Sequence, residues 1–219
     1  DNTTNKWTTG KLSEPRSQLC ATSAGTKVFF AGGRKSGGTE RSDVVDIYDT
    51  KTNTWSIQKL SQSRCWLAAA SIGNKVIFGG GLDRYSGPSS VVDIYDMRNG
   101  TWNTHELSQA RADLAAASAG QKVIFAGGHT PLGESDVIDI YDHRTSTWSA
   151  HRLSMGLFDL AATSTGGKAI FAGGHTVSGS IASNAVDIYD ASTNVWSTSK
   201  LSSARNSIGA TSVGTKAFF

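Results

Sequence analysis

Five tryptophans stand at Trp7, Trp55, Trp102, Trp148 and Trp196, and the intervals between them are 48, 47, 46 and 48 residues. A period this long and regular specifies repeated supersecondary units, each too small to bury its own apolar face and each stabilised by its neighbour. Ahead of the last four tryptophans the same phrase recurs: a short apolar run, paired glycines, a variable stretch, then Asp-Ile-Tyr-Asp with the tryptophan seven residues after the tyrosine.

The copies overlay residue by residue. Leu12-Ser13, Leu60-Ser61, Leu107-Ser108, Leu153-Ser154 and Leu201-Ser202 open a segment that leads to Arg16, Arg64, Arg111 and Arg205, with Leu157 in place of arginine in the fourth copy. A run of small residues follows, as in Leu114-Ala115-Ala116-Ala117-Ser118. A glycine turn and a lysine (Gly25 and Lys27, Gly73 and Lys75, Gly120 and Lys122) then lead through an apolar run to Gly32-Gly33, Gly80-Gly81, Gly127-Gly128 and Gly173-Gly174. β-Branched and aromatic runs of this length, bounded by Gly, Asn, Asp and Ser, read as short strands, and no stretch carries an amphipathic helical period. Between tyrosine and tryptophan lies turn chemistry, residues 49–54, 96–101, 142–147 and 190–195. Four antiparallel strands repeated every 47 residues or so predict the blade of a β-propeller.

Paired glycines, a tyrosine after the third strand and a tryptophan on the fourth, recurring together at one register, resemble the kelch repeat. The resemblance covers essentially the whole chain as one all-β domain, 1–219, with repeat units at approximately 8–55, 56–102, 103–148 and 149–196 and partial units at 1–7 and 197–219. It implies a kelch-type propeller of four-stranded antiparallel blades whose innermost strand, here the Leu-Ala-Ala-Ala run, lines a central channel. About five blades are expected. They form either a five-bladed ring closed through the strand of Trp7, an excerpt of a six- or seven-bladed ring, or an arc completed by further sequence or another chain.

Composition sets mild limits. The formal net charge is +3 and no run of Lys or Arg occurs, which argues against nucleic acid as a partner. No apolar stretch approaches the length of a membrane span. Cys20 and Cys65 fall at different repeat positions and are expected as buried free thiols, not a disulfide or metal knuckle. Asn2 and Asn99 match glycosylation acceptor patterns. Compartment is left open.

Positions that the copies share build the blade, so a ligand site is sought where the copies disagree. Two residues after the recurring arginine differ in every copy: Ser17-Gln18, Cys65-Trp66, Ala112-Asp113, Phe158-Asp159 and Asn206-Ser207. The second variable region follows the double glycine, residues 34–42, 82–90, 129–135 and 175–184, and includes Arg34, Arg84, Tyr85, His129 and His175. Both regions are expected on one loop face, where kelch proteins commonly bind a partner. The face is expected to be basic on its first two full blades (Arg34, Lys35, Arg41, Arg84) and acidic on the next two (Asp113, Glu134, Asp136, Asp159). Trp66 is either an exposed contact residue or a plug between blades.

Competing readings follow from the same residues. A ring of recurring arginines would grip an acidic ligand, but their sameness favours a role tying adjacent blades together. Asp46, Asp93, Asp139 and Asp187, with Asp49, Asp96, Asp142 and Asp190, read as turn caps and solvated faces. Asp113 with His129 and Asp159 with His175 form a weak metal-site candidate, since imidazole and carboxylate ligate Zn, Mn or Fe. The expectation is a non-enzymatic propeller that binds a protein or peptide at its loop face, with no cofactor. A glycan-binding propeller is the first alternative and a metal-dependent enzyme at the Asp/His pairs the second.

Overall fold

The computed structural model describes residue 5, residues 7–176 and residues 181–219. All of its regular structure is strand. Blade one comprises β1 (Cys20–Ala24), β2 (Lys27–Ala31), β3 (Val44–Asp49) and β4 (Thr54–Lys59). Blade two comprises β5 (Ala68–Ile72), β6 (Lys75–Gly79), β7 (Val91–Asp96) and β8 (Thr101–Glu106). Blade three comprises β9 (Ala115–Ala119), β10 (Lys122–Ala126), β11 (Val137–Asp142) and β12 (Thr147–Arg152). Blade four comprises β13 (Ala161–Thr165), β14 (Lys168–Ala172), β15 (Ile181–Asp190) and β16 (Val195–Arg205), and a hairpin of β17 (Thr211–Val213) and β18 (Lys216–Phe218) follows. Within each blade the strands pair antiparallel in sequence order from inside to outside. Residues 7–12 form no strand, so the strand expected at Trp7 is absent among the described residues, and Trp7 is almost fully exposed.

Register explains the tyrosine and tryptophan of each copy. Tyr48 faces Trp55 across β3 and β4, as Tyr95 faces Trp102, Tyr141 faces Trp148 and Tyr189 faces Trp196. Their rings pack with centroids 4.9, 4.8, 5.3 and 5.2 Å apart, the cross-strand aromatic pairing that stabilises a two-stranded unit. The turn between them is closed by the aspartate at its start. Asp49, Asp96, Asp142 and Asp190 each accept the backbone N–H two residues on, at 2.9 Å, as expected of turn caps.

The core lies between blades. One cluster joins Phe29, Val45 and Ile47 of blade one to Val76 and Phe78 of blade two; a second joins Ile77 and Val92 to Val123 and Phe125; a third joins Ile124 and Ile138 to Phe171. Each buried phenylalanine contributes about 1.5–3 kcal/mol, and a blade realises that gain only against its neighbour, which is why the unit repeats. At the axis the inner strands carry Ala, Ser and Thr. Ser71 Oγ donates to the Ser23 carbonyl at 2.7 Å, bonding one inner strand to the next where larger side chains would not fit.

The recurring arginine joins blades, in an arrangement the residue types alone did not specify. The Arg64 backbone belongs to blade one, its N–H donating to Ser42 O at 3.1 Å and its carbonyl accepting from Gly33 N at 2.8 Å. Its side chain crosses into blade two, where Nη1 donates to the Gly80 and Val91 carbonyls, both at 2.6 Å, and Nη2 pairs with Asp93. Arg111 repeats the crossing from blade two to Gly127, Val137 and Asp139 of blade three. The reading of Asp46, Asp93, Asp139 and Asp187 as solvated is therefore corrected: all are buried. One oxygen of each accepts the backbone N–H of the serine in the Leu-Ser step. The other meets arginine, except at Asp187, where Ser154 Oγ donates at 2.9 Å in the blade whose arginine is replaced by Leu157.

The double glycine is required by the same crossing. Gly80 has φ +68°, and a Cβ there would lie 2.6 Å from the Arg111 carbonyl oxygen, so only glycine lets the two backbones meet.

Candidate functional site

Two residues after the arginine the chain turns at the axis in a left-handed conformation. Gln18, Trp66, Asp113, Asp159 and Ser207 have φ of 58°, 54°, 53°, 52° and 50°. Their backbones form a ladder from blade to blade: Trp66 N donates to Gln18 O at 3.0 Å, Asp113 N to Trp66 O at 3.1 Å, Asp159 N to Asp113 O at 3.1 Å, and Ser207 N to Asp159 O at 3.2 Å. Five candidates about one repeat apart in sequence are thus neighbours at the channel mouth. Asp, Asn and Ser adopt this conformation at modest cost, whereas a tryptophan there is strained by roughly 1–3 kcal/mol.

The second variable region lies against the first. Cys65 exchanges backbone hydrogen bonds with Leu82 at 3.0 and 2.7 Å, Ala112 with His129 at 3.0 and 2.6 Å, and Phe158 with His175 at 3.2 and 3.0 Å. Ser17 pairs with Arg34 in blade one. Both variable regions therefore share one face.

Between the loops of blades two and three opens a cleft of about 590 Å³, lined by Trp66, Leu82, Ser86, Gly87, Pro88, Asp113, His129, Pro131 and Phe158. Its walls are mostly apolar. A smaller depression of about 180 Å³ at the axis is lined by Gln18, Trp66, Asp113 and Asp159 over Leu19, Leu67, Leu114 and Leu160. Trp66 and Asp113 belong to both and form the step between them. Trp66 is half-buried, with one part supported by the fold and one part facing the cleft. Phe158, Leu82, Pro88 and Pro131 all fall in the two variable regions but were not among the individual candidates; the signal for Phe158 is that its position, one before the ladder residue, changes in every copy.

Electrostatics separates the ladder carboxylates from the buried ones. Burial, reinforced by the charge of Asp159, pushes the Asp113 carboxyl up to about 7. Among the described residues its side chain accepts no hydrogen bond and forms no ion pair. Asp159 has Ser207 Oγ at 3.4 Å and His175 Nδ1 at 4.0 Å. The Gln18 Oε1 atom is buried and meets no donor.

Other candidates are dispersed. Tyr85 is exposed on the rim, outside the cleft, with the Arg84 guanidinium 4.6 Å from its ring centre. Arg34 sits in a separate shallow depression with Lys35 and donates from Nε to Gly38 O at 2.9 Å. Part of the expected charge asymmetry is spent internally, since Asp136 pairs with Arg152 at 2.6 Å and Lys35 lies 3.7 Å from Glu14 and 3.9 Å from Glu40.

Of the two Asp/His pairs, only Asp159 and His175 approach within 4.0 Å among the described residues. The Phe158 ring packs edge-on against both imidazoles, its centroid 5.6 Å from that of His129 and 3.8 Å from that of His175. Among the described residues no three His, Cys, Asp or Glu are grouped to hold a metal ion. Cys65 is buried and Cys20 half-buried, its thiol donating to the Ala31 carbonyl at 3.6 Å and pushed up to about 12 by burial; neither forms a disulfide. Asn99 is exposed in a turn, and Asn2 lies outside the described residues. No helix among the described residues is long and apolar enough to cross a membrane.

Comparison with known proteins bears on the fold. The solved structure titled "Structure of YjhT" superposes with a TM-score of 0.72 over 90% of this chain and 74% of that one, at 15% identity. A comparison with curated proteins finds no match. The Kelch motif matches residues 15–58, a span that holds nearly all of blade one. One kelch motif is thus matched, in blade one, and the same four-stranded antiparallel unit repeats in register through the next three blades, so the fold is a kelch-type β-propeller.

Proposed function

We propose that this propeller is a non-enzymatic binding module that takes a peptide segment of a partner protein in the cleft beside Trp66. A kelch propeller supports a binding or scaffolding role, and the finer assignment rests on one observation: a tryptophan is held half-exposed in a strained left-handed conformation at the wall of an apolar cleft. Strain of this kind persists where surrounding structure holds it for use, and aromatic anchors in such pockets dominate binding energy at interfaces. The peptide reading is favoured over a glycan because Leu82, Pro88, Pro131 and Phe158 supply few of the hydrogen-bonding groups that sugar hydroxyls require.

Selection of a random peptide library on the whole chain, with a glycan array in parallel, tests this. The substitution to use is Trp66→Asn, because asparagine tolerates the backbone that tryptophan occupies. Selected peptides are expected to lose at least about 30-fold in affinity, equivalent to some 2 kcal/mol at an anchor residue. Unchanged affinity in Trp66→Asn, or binding confined to the glycan array, counts against the proposal.

A further inference from the structure

We propose that the axis mouth, where Asp113, Asp159 and Gln18 converge beside the Trp66 and Phe158 cleft, takes the guanidinium of an arginine side chain on the bound peptide. This rests on the peptide-binding reading above and adds the chemistry of the residue that is read.

Three acceptors meet there without adequate donors. The Asp113 carboxylate has no hydrogen-bond or ion-pair partner among the described residues, Asp159 has only the distant contacts to Ser207 and His175, and Gln18 Oε1 is buried without a donor. The protein's own cations on this face, Arg41 at the cleft rim beside Ser86 and Cys65 among them, form no ion pair with Asp113 or Asp159 among the described residues. Arg41 Nη2 donates to Ser86 Oγ at 2.9 Å, Arg84 lies over Tyr85, and Lys35 lies near Glu14 and Glu40.

A ligand that fills the apolar cleft and stops leaves those acceptors buried and unpaired, which is costly. An anionic group meets two carboxylates. A guanidinium offers five N–H donors in a planar fork and stacks on aromatic faces, so it satisfies carboxylate and amide oxygens while its plane lies against Trp66. Lysine brings charge but three donors on a compact head. The chain uses the same chemistry nearby, where Arg111 is held by an aspartate and two carbonyl oxygens.

Proton and guanidinium compete for Asp113. The titratable groups around the carboxylate and its cleft are Asp159, His129, His175 and the Cys65 thiol. Acidification protonates Asp113, and that change opposes a cation. With the Asp113 carboxyl at about 7, binding of an arginine peptide is expected to weaken about 10-fold from pH 8 to pH 6.

The test uses the whole chain and the peptides it selects at pH 8, each resynthesised with citrulline, the neutral isostere, in place of arginine, and separately with lysine. The expected result is enrichment of arginine, at least about a 10-fold loss on replacement by citrulline, and disappearance of that difference in Asp113→Asn. Because citrulline changes only the ligand, the result does not depend on a variant folding. Peptides that bind through Trp66 but tolerate citrulline, or that bind equally with lysine, overturn this inference and leave peptide binding standing. A library from which nothing is selected overturns both.

Discussion

Asp139 and Asp113 belong to the same blade, and only one of them is fully partnered. Asp139 is buried, accepts the Ser108 N–H at 2.9 Å and pairs with Arg111, whose remaining donors hold the carbonyls of Gly127 and Val137. Asp113, two residues after that arginine, has no such partner, and burial with the Asp159 charge pushes its carboxyl up to about 7. One carboxylate is spent on joining blades and the other, in the same repeat, is left for something else. The general lesson is that a buried charge marks structure when its partners are complete and marks a site when they are not.

Removing Arg111 probes the complete side of that contrast hardest. Arg111→Ala strands Asp139 as an unpaired buried charge and should cost about 3–5 kcal/mol in a urea titration. Arg111→Leu should cost less, because blade four already carries Leu157 and satisfies Asp187 with the Ser154 hydroxyl, and Ser108 stands at the matching position. Equal losses would show that the serine hydroxyl cannot substitute.

Asp113→Asn addresses the incomplete side, and its sign is opposite. The native carboxyl holds its proton up to about 7 and the unfolded one only to the ordinary value of 3.8, so between these values the folded state binds more protons and rising pH favours unfolding. Asparagine, which suits the left-handed backbone, removes that penalty. Stability should rise by about 1–2 kcal/mol at pH 8 after allowance for partial exposure, and the gain should vanish below the unfolded value. Thermal melts at both pH values decide it; destabilisation at pH 8 would mean that Asp113 has a structural partner after all.

Arg152→Ala gives the smallest effect. Its ion pair with Asp136 lies on the surface with the arginine mostly exposed, and such pairs are worth about 0–1 kcal/mol. A change above that range would place Asp136 among the structural carboxylates.

Much of the blade was legible in the sequence because its elements are local. Tyr48 and Trp55 lie across one hairpin, and Asp49 caps the turn between them, so spacing and turn chemistry suffice to read them. The arginine's task of tying blades was inferred from its recurrence, yet its aspartate partner was missed. Arg64 and Asp93 are 29 residues apart, one in a loop and one on β7, and a recurring acid beside a recurring turn acid looks like more of the same solvated surface. At the site, comparison of the copies singled out all five ladder residues. The Asp/His pairs, already the weakest candidate, could not be judged from spacing, because how Phe158 packs against His129 and His175 depends on where two loops place a ring.

The sequence by itself determined the repeated blade, its strand order and the face on which variation collects, since periodicity, turn residues and paired aromatics act over a few residues and recur. Only the tertiary structure decided which carboxylates are partnered. The left-handed turns bring Gln18, Trp66, Asp113 and Asp159 side by side from four separate repeats, so whether a charge there finds a donor is set by neighbours roughly 48 residues away along the chain.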